Sequence, residues 1–255
     1  MPMPAKSMDA DDLRRNMMRT YFTLRLGIVI LSVALPLILL GYSVITHGGL
    51  REGSMSAFYG ADGGVMRNWF VGILWTIGFF LILYKGFSVL EDWLLNVAGG
   101  LAVLTAMTPC NCWAPAELDK SAAHTAFAVL FFACMVVVCI FCARDTVTLL
   151  PQEKRDYFKR IYYVIAVLLF VSPAAAVVTA YVLGARDSRV FFIEWFAVWV
   201  FASYWAVKSV EFKITAPERR ALMGTLRNEP GVGVVPETAD ARKLERLTWP
   251  SVSAE

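Results

Sequence analysis

Apolar and polar positions in this chain segregate into long blocks instead of alternating residue by residue. Six apolar blocks stand out, over residues 22–45, 69–84, 93–108, 122–143, 161–183 and 190–212. Most run to about twenty residues, the length a helix needs to cross a hydrocarbon core of about 30 Å. Helices are the structures that satisfy every backbone polar group inside lipid from within one segment, and the two-residue alternation of a membrane barrel is absent. The pattern therefore predicts an all-α polytopic membrane bundle of six transmembrane helices. The third block is the weakest, being short and carrying Asn96 and the Gly99–Gly100 pair. Pro36 and Pro173 fall in mid-block, where each is expected to kink or loosen its helix.

Polar sequence bounds the blocks and divides the chain into three parts. Residues 1–21 form an N-terminal segment, 22–213 the membrane domain and 214–255 a tail. No small-residue cleavage pattern follows the first block, so it reads as a retained span. In the tail, Thr215-Ala-Pro-Glu218 has capping-box spacing and predicts a short helix to about Arg227. The Pro- and Gly-broken stretch after it predicts loose chain.

Composition reinforces the pattern: 58% of the 255 residues are hydrophobic, against about 45–50% in ordinary soluble domains. A formal net charge of +3 gives no reason to expect a nucleic-acid partner. The placement of charge is more telling. With the N-terminus inside, 19 of the 24 Lys and Arg residues fall on the inner side, and five (Arg51, Arg67, Lys120, Arg186 and Arg189) on the outer. The positive-inside rule then puts both termini in the cytoplasm, as expected for a multi-pass protein of a bacterial inner membrane.

That topology brings several polar residues to one depth. Ser54, Ser56, Tyr59, Asp62, Arg67, Asn68, His124 and Glu194 all lie near the outer rim. Ionisable residues within spans are costly and usually face a bundle interior or a wet cavity. The competing reading, simple solvation among headgroups, applies to each and is favoured for Asp62, which sits among glycines. In the sixth block Glu194, Val198, Phe201, Trp205 and Lys208 share one helix face. Glu194 and Lys208 are about 21 Å apart along it, so each needs its own partner. For Lys208 the expected alternatives are Asp92, at the inner start of the third block, or snorkelling to the headgroups. Trp69, Trp93, Trp113, Trp195, Tyr84, Tyr162 and Tyr181 stand near block ends and read as interface anchors.

Metal and catalytic motifs are scarce. Two histidines, His47 and His124, cannot build a three-histidine zinc site, and no hydrolase, phosphate-loop or dinucleotide motif stands in a suitable context. Neither a cofactor nor a metal is expected. Cys110-Asn-Cys112 has the wrong spacing for a zinc knuckle, and a disulfide across it would be strained; in an oxidising compartment it could still oxidise or take a soft metal. Cys134, Cys139 and Cys142 read as small apolar residues of the fourth span.

One resemblance can be drawn from ordered short motifs. Ser-x-Ser-x-Phe-Tyr at 54–59 precedes Met-Arg-Asn-x-Phe-Val-Gly at 66–72. Tyr-Lys-Gly at 84–86, Asp92, Asn96, Gly99 and His124 follow, then Glu194, Ala-Val-Trp at 197–199, Ser203-x-Trp205 and Lys208. Across residues 22–212 this resembles uncharacterised bacterial six-span membrane proteins of the Frag1/DRAM/Sfk1-like group. The resemblance implies a fold and a membrane location, and no reaction. The GADGG run and the Cys110/Cys112 segment depart from it. The more distant alkaline-ceramidase-like hydrolases need a histidine-rich zinc site that this chain lacks.

Together these features lead to one expectation and two alternatives. The expectation is a lipid headgroup or small amphiphile bound or sensed in an outer-face pocket, Arg67 meeting its anion and Tyr59, His124 and Glu194 orienting it. One alternative is a metal-independent membrane hydrolase or transferase with His124 as base. The other is a transporter or an accessory subunit of a membrane complex.

Overall fold

The computed structural model describes residues 10–110, 118–184, 187–217, 226–229 and 233–236. Helices α1 (Ala10–His47), α2 (Arg67–Leu83), α3 (Val89–Met107), α4 (Leu118–Val137), α6 (Gln152–Leu183) and α7 (Ser188–Thr215) form the bundle. A π-helical turn, Val138–Cys142, joins α4 to the short helix α5 (Ala143–Val147). Each long helix packs on the next, α6 follows α4, and α7 returns to α1, so the six close into a ring. Among the described residues, five segments are long and apolar enough to cross a membrane; α2, with 17 residues, is a shorter apolar helix.

The outward faces are apolar as well as the inward ones. Leu130, Phe141, Phe170 and Val171 are more than half exposed, while Leu39, Leu81, Leu95 and Leu169 are fully enclosed. A helix apolar all round belongs in lipid, not in water. This is a membrane protein built as an all-α bundle. Pro36 and Pro173 both sit inside continuous helices.

The weak third block becomes intelligible at its contact with α2. A Cβ on Gly99 would lie 2.5 Å from the Gly78 carbonyl oxygen, and one on Gly78 would lie 2.7 Å from that of Gly99. The two backbones touch, as small residues allow in membrane helix pairs. At its start, α3 is capped by Ser88, whose hydroxyl accepts from the Glu91 N–H at 3.3 Å, while Glu91 Oε2 accepts from the Phe87 N–H at 2.8 Å. This near-capping-box geometry points Glu91 inward.

The tail differs from the sequence expectation. Strands β1 (Leu226–Glu229) and β2 (Gly233–Pro236) pair as an antiparallel hairpin. Residues 226 and 227, expected to end a helix, are strand, and so is part of the supposedly loose chain. Val234 and Val235 are β-branched and suit a strand. Most of the expected helix, and the tail beyond 236, lie outside the described residues.

Candidate functional site

The segment between α1 and α2 folds back into the mouth of the ring. Two 3-10 turns, Ser56–Tyr59 and Ala61–Gly64, compact it, and Ser54, Met55, Ser56, Ala57 and Phe58 are all buried. Two bonds fasten it to the start of α7: the Phe191 N–H donates to the Gly53 carbonyl at 2.8 Å, and the Met55 N–H donates to Glu194 Oε2 at 2.7 Å. The Ser54 and Ser56 hydroxyls lie 3.2 Å apart, and Ser54 Oγ also accepts from the Ala57 N–H.

The GADGG run has a separate task. Asp62, Gly63 and Gly64 all take positive φ, and a Cβ on Gly64 would lie 2.7 Å from the Arg67 guanidinium. The turn presents Asp62 to the end of α1, where its carboxylate meets His47 at 2.7 Å and the Tyr42 hydroxyl at 3.0 Å, and to Arg51 just beyond it at 3.4 Å. Asp62 is thus a tether, not merely a solvated loop residue. The His47 hydrogen bond first, then that from Tyr42, hold its carboxyl below the ordinary value. The tether should be intact above the usual aspartate range and lost only as pH falls through the depressed value. A carboxyl NMR titration is expected to place the Asp62 midpoint below about 3.9, and His47→Ala to raise it.

Behind the folded segment lies a cavity of about 470 Å³. Ser54, Ser56, His124 and Glu194 line it, joined by Ser32 and Thr105 from α1 and α3. The rest of the wall is apolar, with Leu35, Phe70, Phe131 and Phe201 among its members. Val129 on α4 and Val177 and Tyr181 on α6 line the cavity and are also exposed outside the bundle, so it opens sideways between α4 and α6. Pro173 borders this opening. The buried His124 donates from Nδ1 to the Thr108 carbonyl at 2.8 Å, which leaves Nε2 an acceptor in the neutral ring. Among the described residues, Glu194 Oε1 has no hydrogen-bond partner.

The other three expected site residues fare differently. Tyr59, Arg67 and Asn68 are not part of the cavity wall. Arg67 is exposed, donates from Nε to the Tyr59 carbonyl at 3.0 Å and stacks on the Tyr59 ring at 4.7 Å. The left-handed turn at 62–64 carries the chain out of the bundle before α2 begins, so Arg67 and Asn68 emerge on its outside. Cys110, at the cavity rim, is disulfide-bonded, with its partner outside the described residues. No group of three or more metal-ligating side chains occurs among the described residues.

No family model, curated protein or solved structure matches this chain.

A second polar centre occupies the opposite end of the ring. Arg25, Tyr84, Glu91, Thr146, Tyr162, Lys208 and Glu211 come from α1, the end of α2, α3, α5, α6 and α7, and all are buried. Lys208 Nζ donates to Thr146 Oγ1 at 2.8 Å and lies 3.7 Å from Glu211 Oε2, which also accepts from the Tyr162 hydroxyl. Arg25 stacks on Phe212 at 4.7 Å. The π-helical turn widens the end of α4 just before Thr146.

Two sequence expectations are corrected here. Asp92 does not pair with Lys208: half-buried, it meets Lys85 at 3.2 Å, because the α3 cap turns its neighbour Glu91 inward instead. Lys208 does not snorkel either, being fully buried. Tyr84 and Tyr162, expected as interface anchors, are buried in this centre, whereas Trp69, Trp93 and Tyr181 are exposed as anchors should be. Trp113 lies outside the described residues. Arg25, Glu91 and Glu211 were missed as a group. Arg25 carried a signal, standing inside the first apolar block, and Glu211 lies one helical turn from Lys208.

Proposed function

We propose that this is a six-span protein of a bacterial inner membrane, both termini cytoplasmic, that binds or senses a lipid or small amphiphile in the cavity behind residues 53–59. The observation that carries this reading is the cavity's shape and chemistry together. It is apolar along most of its wall, polar at Ser54, Ser56, His124 and Glu194, and open sideways between α4 and α6. An amphiphile could enter from the bilayer with its chain against the apolar wall and its polar end at those four residues. Ligand sites share this design of an apolar pocket with a few placed polar groups. The charge bias supports an outer position for this end of the ring.

Ala128 lines the cavity without polar contacts, so Ala128→Trp should fill it. Lipid co-purifying with the detergent-solubilised protein, measured by mass spectrometry, is expected to fall about tenfold in that variant, equivalent to about 1.4 kcal/mol. Arg67→Ala, outside the cavity, is expected to leave it unchanged. Equal lipid content in Ala128→Trp and the parent protein would sink the reading.

The enzymatic alternative rests on one observation, the His124 ring oriented by the Thr108 carbonyl with Nε2 left as a base. Against it, the Ser54 and Ser56 hydroxyls pair with one another. Incubation with a lipid extract separates the readings: products that vanish in His124→Ala would favour catalysis.

A further inference from the structure

We propose that the ligand's polar end is a hydrogen-bond donor without negative charge, an amine or a hydroxyl, in place of a phosphate or carboxylate. This rests on the proposed amphiphile pocket and adds the chemical class that it selects. The first argument is charge. Among the described lining residues there is one carboxylate, Glu194, and no Lys or Arg. Of the outer cations, Arg67 is committed to Tyr59, Arg51 to Asp62 and Arg189 to Asp187, and none of the three lines the cavity. An anionic end placed here would face Glu194 in a low-dielectric surrounding with no Lys or Arg among the described wall residues to balance it, whereas an ammonium or hydroxyl would be held.

The second argument is hydrogen-bonding capacity. Glu194 uses Oε2 to hold the Met55 N–H and keeps Oε1 uncommitted. His124 spends its Nδ1 proton on Thr108 and presents Nε2 as an acceptor. The wall's charged and ring groups therefore accept more than they donate, and a matching ligand must donate.

The third argument is an orphan. Ser32 lines the cavity from α1, is 0% exposed, and its hydroxyl has no hydrogen-bond partner. Buried hydroxyls are nearly always satisfied, so an unpartnered one on a residue of the cavity wall is the polar atom there that most lacks a partner. Ser32 lies one helical turn from Leu35, another residue of the wall. We assign it the recognition of a second polar atom on the bound molecule, such as the neighbouring hydroxyl of a diol or amino-alcohol.

The test uses the full-length protein in detergent and four probes of equal chain length: a primary alkylamine, a monoacylglycerol, a fatty acid at pH 8 and a lysophosphatidic acid. Binding is read by thermal shift and by competition with a spin-labelled alkylamine. The amine and the monoacylglycerol are expected to bind at least about tenfold more tightly than the two anions, a difference of about 1.4 kcal/mol. Glu194→Gln keeps an oxygen for the Met55 N–H while removing the charge, and should weaken the amine several-fold while sparing the monoacylglycerol. Ser32→Ala should weaken the monoacylglycerol and leave the single-headed amine unchanged. If all four probes bind equally, or the anions bind best, the donor-end inference is overturned and the pocket reading stands. If none binds and Ala128→Trp retains its lipid, the pocket reading itself fails.

Discussion

Lys208→Met will destabilise the bundle by about 3–5 kcal/mol, because it removes one partner of a buried charge pair and leaves the other uncompensated. Lys208 is fully enclosed, and so is Glu211, 3.7 Å away. Its charge also acts on Glu91, whose Oε1, like that of Glu211, has no hydrogen-bond partner in its buried setting. Methionine nearly matches the lysine stem in length, so the lost quantity is charge and not volume. Thermal unfolding in detergent micelles measures the effect. Lys208→Met combined with Glu211→Gln should recover a substantial part of the loss, since removing both charges of a buried pair is far less harmful than removing one. An unshifted Lys208→Met transition would show that the centre does not hold the ring together.

That centre also shows where the sequence was legible and where it was not. The bundle could be read because block length and apolar content follow directly from the thickness of a hydrocarbon core. The shared face of Glu194, Phe201, Trp205 and Lys208 could be read because a helix fixes which positions lie together. What escaped was rotation about the helix axis at the start of α3. Glu91 and Asp92 are adjacent and chemically alike, and only the Ser88 cap and the Phe87 N–H decide which turns inward. The outer site escaped in a different way. Ser54, Ser56, His124 and Glu194 do converge on one cavity, as depth alone suggested. Arg67 does not, because the left-handed turn at Asp62–Gly64 redirects the chain, and no periodicity records a turn's direction. Ser32 was hidden for a simpler reason: a serine in an apolar run normally bonds its own helix backbone, so nothing in the sequence marks one that does not.

Gly99→Ala and Gly100→Ala, neighbours in sequence, are expected to change stability in opposite directions. A Cβ at Gly99 would lie 2.5 Å from the Gly78 carbonyl oxygen and 2.6 Å from Ile82 Cγ1. The first of these is backbone, so α2 as a whole must move away from α3. Overpacking of this kind typically costs about 1–3 kcal/mol. The larger Gly99→Ile should exceed that range and part the two helices, with α2, the shortest in the ring, the one displaced. A Cβ at Gly100 meets nothing within 4 Å. There alanine removes the helix penalty of glycine, a gain of up to about 1 kcal/mol. Unfolding transitions of the two single variants in the same detergent decide the matter. If Gly99→Ala and Gly100→Ala shift together, then α2 and α3 do not touch at Gly78 and Gly99, and the ring is closed by some other contact.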